Sequence, residues 1–132
     1  MILYEWEASH AILRTVLVGP VSAEDIRQHL NAMAKAEMFG RAELIDARGT
    51  VGPAPSVSEL WLLADHARRL MAGLGLGPRA MVVDDTFNYW VARVFANFLS
   101  GLMPIEVFRT EPAARQWLLS QSADCPEAQA AG

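Results

Sequence analysis

The segment MVVDDTFNYW, residues 81–90, brings two adjacent carboxylates, Asp84 and Asp85, up against Phe87, Tyr89 and Trp90. Paired carboxylates can hold a divalent cation through hard oxygen donors, or move protons. They can equally start a helix, accepting its free N–H groups and meeting the positive end of its dipole. Their position favours the helix start, because the apolar run Met81–Val83 precedes them and a helical aromatic pattern follows. A third acid, Asp46, closes the run LID after another apolar stretch. If Asp46, Asp84 and Asp85 met at one sheet edge, they could form a weak magnesium site for phosphoryl handling.

That chemistry lacks its usual companions. Response-regulator phosphoacceptor sites place the acidic pair after the first strand and a lysine after the last, where this chain has Val18-Gly19 and Arg109-Thr110. Arg48 and Arg109 can pair with the acids or receive an anionic ligand. A surface ion pair, worth about 0–1 kcal/mol, is the expected use. The run GLGLGP leads from helix to strand, the reverse of a dinucleotide or phosphate cradle, and reads as a helix stop. RGTVGPAPS has the right polarity but no lysine, and Pro53 and Pro55 remove two N–H donors, so it reads as a structured loop or lid. His10, His29 and His66 fall in a turn and two different helices without metal-ligand spacing, and read as surface or boundary residues. No catalytic set, metal site or cofactor is expected.

Composition narrows the classes further. The 132 residues are 52% hydrophobic, enough for one domain with its own core. A net charge of −4 with 11 scattered basic residues argues against nucleic acid. No apolar run approaches the roughly 18–20 residues that span a bilayer. MILYEWEASH carries acids where a secretory signal carries basic residues, so a cytoplasmic address is expected. The single cysteine, Cys125, cannot form an internal disulfide, and its segment SQSADCPEAQAAG reads as a frayed tail. The expected division is one domain over 1–119 and a flexible tail over 120–132.

The elements that must position these residues follow from periodicity. MILYEWEAS and AILRTVLVG read as an antiparallel hairpin, with Ile2, Tyr4 and Trp6 on its more buried side. A helix follows with Ser22 as cap, Ile26, Leu30, Met33 and Ala34 as inward stripe, and Gly40 as stop. RAELIDARG is a short strand ending near Asp46. Ser56 then caps a long helix, with Glu59 three positions on completing a capping box, and Ser58 lies in its first turn. The strand RAMVVD, the helix TFNYWVARVFANFLSG, the strand PIEVFRT and the helix EPAARQWLLS complete the chain, with Thr110 as the last cap. The order ββαβαβαβα predicts an α/β fold, a mixed but mostly parallel sheet flanked by helices.

This order, with LIDARG after the third strand, RAMVVDD leading into YWVARVF, and the closing VFRTEPAARQWL, resembles the SpoIIAA-like, STAS/SEC14-type small bacterial domains over residues 1–119. The resemblance implies a SpoIIAA-like fold, no established catalysis and a role in binding or regulation. Anti-sigma-factor antagonists of that group carry a phosphorylatable Ser or Thr where the helix after the third strand begins. Here DARGTVGPAPSVS is longer and proline-bearing, and neither Ser56 nor Ser58 directly follows the aspartate.

The remaining signal is physical. Phe87, Trp90, Val91, Val94, Phe95, Phe98 and Leu99, with Tyr89 on another side, exceed one core-facing stripe, and Arg93 sits among them. The preceding helix shows a similar excess around Leu60–Leu63. The expectation is a non-enzymatic binding or regulatory module that self-associates or meets a protein partner. An apolar small ligand or lipid, held between the aromatic helix and the sheet, is the alternative occupant. Candidate contact residues are Arg48, Ser56, Ser58, Asp84, Asp85, Tyr89, Trp90, Arg93 and Arg109.

Overall fold

The computed structural model describes residues 1–123. Five strands and four helices alternate as the sequence predicts: β1 (Ile2–Glu7), β2 (Ile12–Gly19), α1 (Ala23–Lys35), β3 (Ala42–Thr50), α2 (Val57–Met71), β4 (Arg79–Val82), α3 (Thr86–Leu99), β5 (Ile105–Phe108) and α4 (Glu111–Ala123). The sheet order is β1-β2-β3-β4-β5. The first pair is antiparallel and the other three are parallel.

An order that never reverses has a direct consequence. Right-handed crossovers between successive parallel neighbours put α1, α2 and α3 on one face of the sheet. α4, which follows the last strand, packs on the other face against β3, β4 and β5. Nor is there a topological switch point, the crevice where doubly wound sheets bind nucleotides. The core is accordingly split. Leu13, Leu30, Leu60, Met71 and Val83 belong to the three-helix side. Ile12, Leu44, Ala80, Val82, Ala114 and Leu118 close the α4 side.

The local signals for helix starts hold in detail. Ser22 and Ser56 each accept from the N–H three residues on, and Asp25 and Glu59 return the bond to the cap. Four expectations are corrected. α1 ends at Lys35, before Gly40, with Glu37 in the left-handed region at φ 56°. β3 runs past Asp46 to Thr50, because β2 continues beside it through the pairs Val18↔Gly49 and Gly19↔Thr50. In β1, Tyr4 and Trp6 are exposed, since this strand is the sheet's edge and only Ile2 and Glu7 are half-covered. α4 runs on to Ala123, past the end of the expected EPAARQWLLS, and residues 124–132 of the expected tail lie outside the described residues.

Candidate ligand-binding cleft

Three polar side chains project from the sheet into the apolar space beneath α1–α3. Glu43 and Arg79 are register partners on adjacent parallel strands, so they stand side by side on that face. Thr15 projects from β2 on the same side. All three are buried, at 2%, 3% and 0% exposure respectively. Thr15 Oγ1 donates to Glu43 Oε2 at 2.6 Å. His29, reaching down from α1, brings Nε2 to 3.1 Å from the same oxygen. Arg79 Nε lies 3.4 Å from Glu43 Oε1. The guanidinium also donates from Nη1 to the carbonyls of Arg41 and Gly77, and from Nη2 to that of Met38. At the outer end, the exposed Tyr4 hydroxyl meets His29 Nδ1 at 2.7 Å and the two rings stack.

These contacts keep a buried carboxylate ionised. Burial alone would push Glu43 up. The bond from His29, the Arg79 charge and the Thr15 hydroxyl together reverse that and hold it below its ordinary 4.5. Burial pulls the Arg79 guanidinium below its ordinary value, and Glu43 opposes the shift. An arginine in such a pair stays protonated near neutral pH. Burial first, then the Glu43 charge, raises the Tyr4 phenol.

The cluster floors a half-enclosed cleft of about 150 Å³. Its walls include Leu17, Ile26, Ile45, Met81, Phe95 and Ile105, and the loop from Thr50 to Pro55 lines its mouth. The hollow has a cause in the sequence. α3 turns Ala92 and Ala96 inward, and Ala92 lines the cleft. On the same lining, the sheet sets Thr15, Glu43 and Arg79 among the aliphatic Leu17, Ile45 and Ile105. Small residues above and polar ones below leave the space that large hydrophobes would fill. The segment read as a structured loop or lid contributes Thr50 to Pro55 to the lining, with Gly52 in the left-handed region at φ 85°.

Val91, Phe95 and Leu99 of the aromatic helix line the cleft, whereas the nine candidate contact residues lie outside its lining. Asp85 caps α3, accepting from the backbone N–H and side-chain amide of Asn88 at 2.8 and 2.7 Å. Those bonds lower its pKa. Asp84 is exposed. Asp46 belongs to an ion-pair network on the α4 face, where Arg14 and Arg48 each bridge it to Glu111, and Arg115 links Glu111 to Glu7. The Arg48 bonds hold Asp46 below its usual range. Among the described residues, no group of three or more His, Cys, Asp or Glu side chains is placed to hold a metal ion. Arg109 stacks over the half-buried Tyr89 ring at 4.4 Å. Arg93 approaches Glu106 at 3.8 Å. Ser56 is engaged as a cap, Ser58 is exposed in the first turn of α2, and Trp90 is 64% exposed.

The sequence reading missed Glu43, Arg79 and Thr15, and took His29 for an ordinary boundary residue. A signal was present. A central parallel strand is covered on both faces and reads as nearly continuous apolar sequence, so a glutamate inside RAELIDARG demands a buried partner. His29 likewise falls on the inward stripe of Ile26, Leu30 and Met33.

Among solved structures, the chain is similar to an uncharacterized protein of the DUF3478 family with a SpoIIAA-like fold from Shewanella loihica PV-4. Identity is 22% and the TM-score 0.57, over 89% of this chain and 92% of that one. It is also similar to the anti-sigma factor antagonist SpoIIAA in its unphosphorylated form. There identity is 13% and the TM-score 0.50, over 89% of this chain and 97% of that one. No protein-family model and no curated protein matches. The likeness is one of fold: the chain has a SpoIIAA-like fold, as its closing motifs suggested. No helix among the described residues is long and apolar enough to cross a membrane.

Proposed function

We propose that this chain is a non-enzymatic binding module of the STAS type, and that it works by taking an apolar small molecule into the cleft beneath α1–α3. The cleft itself carries the reading, since a folded core normally closes to crystal-like density. The polar floor supports holding over reaction. Thr15 and His29 direct their bonds at Glu43, and Arg79 is anchored on three carbonyls, which leaves no activated nucleophile. Toluene serves as the test probe. At ten times its Kd, a ligand that binds only the folded state adds about 1.4 kcal/mol and raises the melting midpoint by a few degrees. Native mass spectrometry of freshly purified protein supplies a second readout, a co-purified small molecule released on denaturation. An unchanged midpoint in toluene-saturated buffer would remove the reading.

Self-association is a second reading, supported by large apolar side chains that the described residues leave half or more exposed. Trp61 and Leu62 on α2 and Phe87 and Trp90 on α3 are 50–67% exposed. Neighbouring helices that both leave large hydrophobes in water suit a second copy or a protein partner. Light scattering should give a mass above 14.5 kDa that falls to the monomer value in a Trp61→Ser, Trp90→Ser protein. A monomer at high micromolar concentration would sink this reading without touching the cleft.

A further inference from the structure

We infer that the cleft selects a neutral, ring-sized molecule bearing one hydroxyl or N–H donor, and that Glu43 is the acceptor this donor meets. The inference rests on the binding function proposed above and specifies its ligand.

Size is the first constraint. Pockets for drug-sized ligands run to roughly 300–1,000 Å³. An apolar cavity of about 150 Å³ accommodates a single benzene ring. The cleft has this smaller volume, which suits one ring.

Hydrogen-bond accounting supplies the second. Each carboxylate oxygen can accept two bonds. Glu43 Oε2 takes one from Thr15, and His29 Nε2 lies 3.1 Å from the same oxygen. Among the described residues its Oε1 meets Arg79 Nε alone, at 3.4 Å, and Glu43 lines the cleft. Arg79 spends its terminal nitrogens on backbone carbonyls of the β3 and β4 approaches. His29 has one nitrogen on Tyr4 and the other on Glu43. The under-used polar atom on the floor is therefore an acceptor, and a ligand completes it by donating.

Charge supplies the third. Glu43 and Arg79 already neutralise each other, so an ionic ligand would lose its hydration without gaining a partner. A carboxylate would also be repelled by Glu43. A ring without a donor would fit the walls and leave Oε1 as it is.

The experiment is calorimetric titration of the whole chain at pH 7 with phenol, toluene and benzoate, which share a ring and differ in donor and charge. Phenol should bind at least tenfold more tightly than toluene, and benzoate should give no binding. In a Glu43→Gln protein with wild-type circular dichroism, the ratio of phenol to toluene affinity should shrink at least threefold. Toluene matching phenol, or benzoate matching it, overturns the donor assignment and leaves the cleft as a binding site. A phenol preference unaltered in folded Glu43→Gln protein overturns Glu43 as the acceptor. If neither phenol nor toluene binds, the inference and the function beneath it fall together. The wild-type series decides between the ligand classes even where the variant fails to fold.

Discussion

Arg79 and Glu43 hold each other in a place where neither could stay alone. Removing one partner of a buried ion pair leaves the other charge uncompensated, at about 3–5 kcal/mol. Arg79→Met keeps much of the volume and loses the charge. Urea denaturation should show a loss of that order, with the slope against denaturant preserved. A loss below 1 kcal/mol would mean that the pair is wetter than its burial implies. Acid titration addresses the same site. The folded Glu43 carboxyl ionises below its ordinary 4.5, so its contribution is complete above that pH and is lost as pH falls through the folded value. Asp46, Glu7 and Glu111 are lowered in the same sense by their arginine partners, despite the opposing effect of burial, and add to the acid limb. Glu43→Gln, which cannot titrate, should flatten that limb without abolishing it. An acid limb as steep as the parent's would remove Glu43 from the pH dependence.

At the scale of elements, the run GLGLGP separates into three different demands. Gly73 ends α2 in the left-handed region at φ 76°, as a helix stop requires. Gly75 meets nothing that a methyl group would touch. Gly77 is a close approach: a Cβ there would lie 2.5 Å from the Arg41 carbonyl oxygen and 2.8 Å from that of Gly40. Its own carbonyl also anchors Arg79. Gly77→Ala should therefore cost about 1–3 kcal/mol, the range for overpacking. Gly75→Ala should be neutral or slightly stabilising. Equal effects in the two, read by thermal denaturation, would contradict the close approach. The contrast also shows what a sequence can reveal. Ser56 with Glu59, and Asp85 ahead of Asn88, are legible because a cap and its target are three residues apart. Gly77 against Arg41 is not, because the contact depends on how β3 and β4 align. The Thr15, His29, Glu43 and Arg79 cluster gathers three strands and a helix, and nothing local announces it except a charge inside a strand that should be apolar.

For the molecule as a whole, the cleft and its stability oppose each other. An enclosed void forgoes about 24 cal/mol per Å³, so about 3–4 kcal/mol for 150 Å³, and a half-open one less. Element order sufficed to read a mostly parallel α/β sheet, because alternation and the crossover rule leave few arrangements, while the SpoIIAA-like likeness also needed the motifs LIDARG, RAMVVDD and VFRTEPAARQWL. It said nothing of the void, which is a property of volumes summed across α3 and three strands. Ala92 is where this balance can be tested. It is 5% exposed, lies on the buried face of α3 and lines the cleft, so a larger side chain there grows into empty space. Ala92→Leu should raise the melting midpoint, consistent with the roughly 0.5–2 kcal/mol that cavity filling commonly yields. It should weaken phenol and toluene together, because it takes the room both would occupy. Glu43→Gln, by contrast, should weaken phenol selectively. If Ala92→Leu destabilised the fold as overpacking does, the space above Glu43 would already be closed, and binding would have to be sought on the exposed rings of α2 and α3.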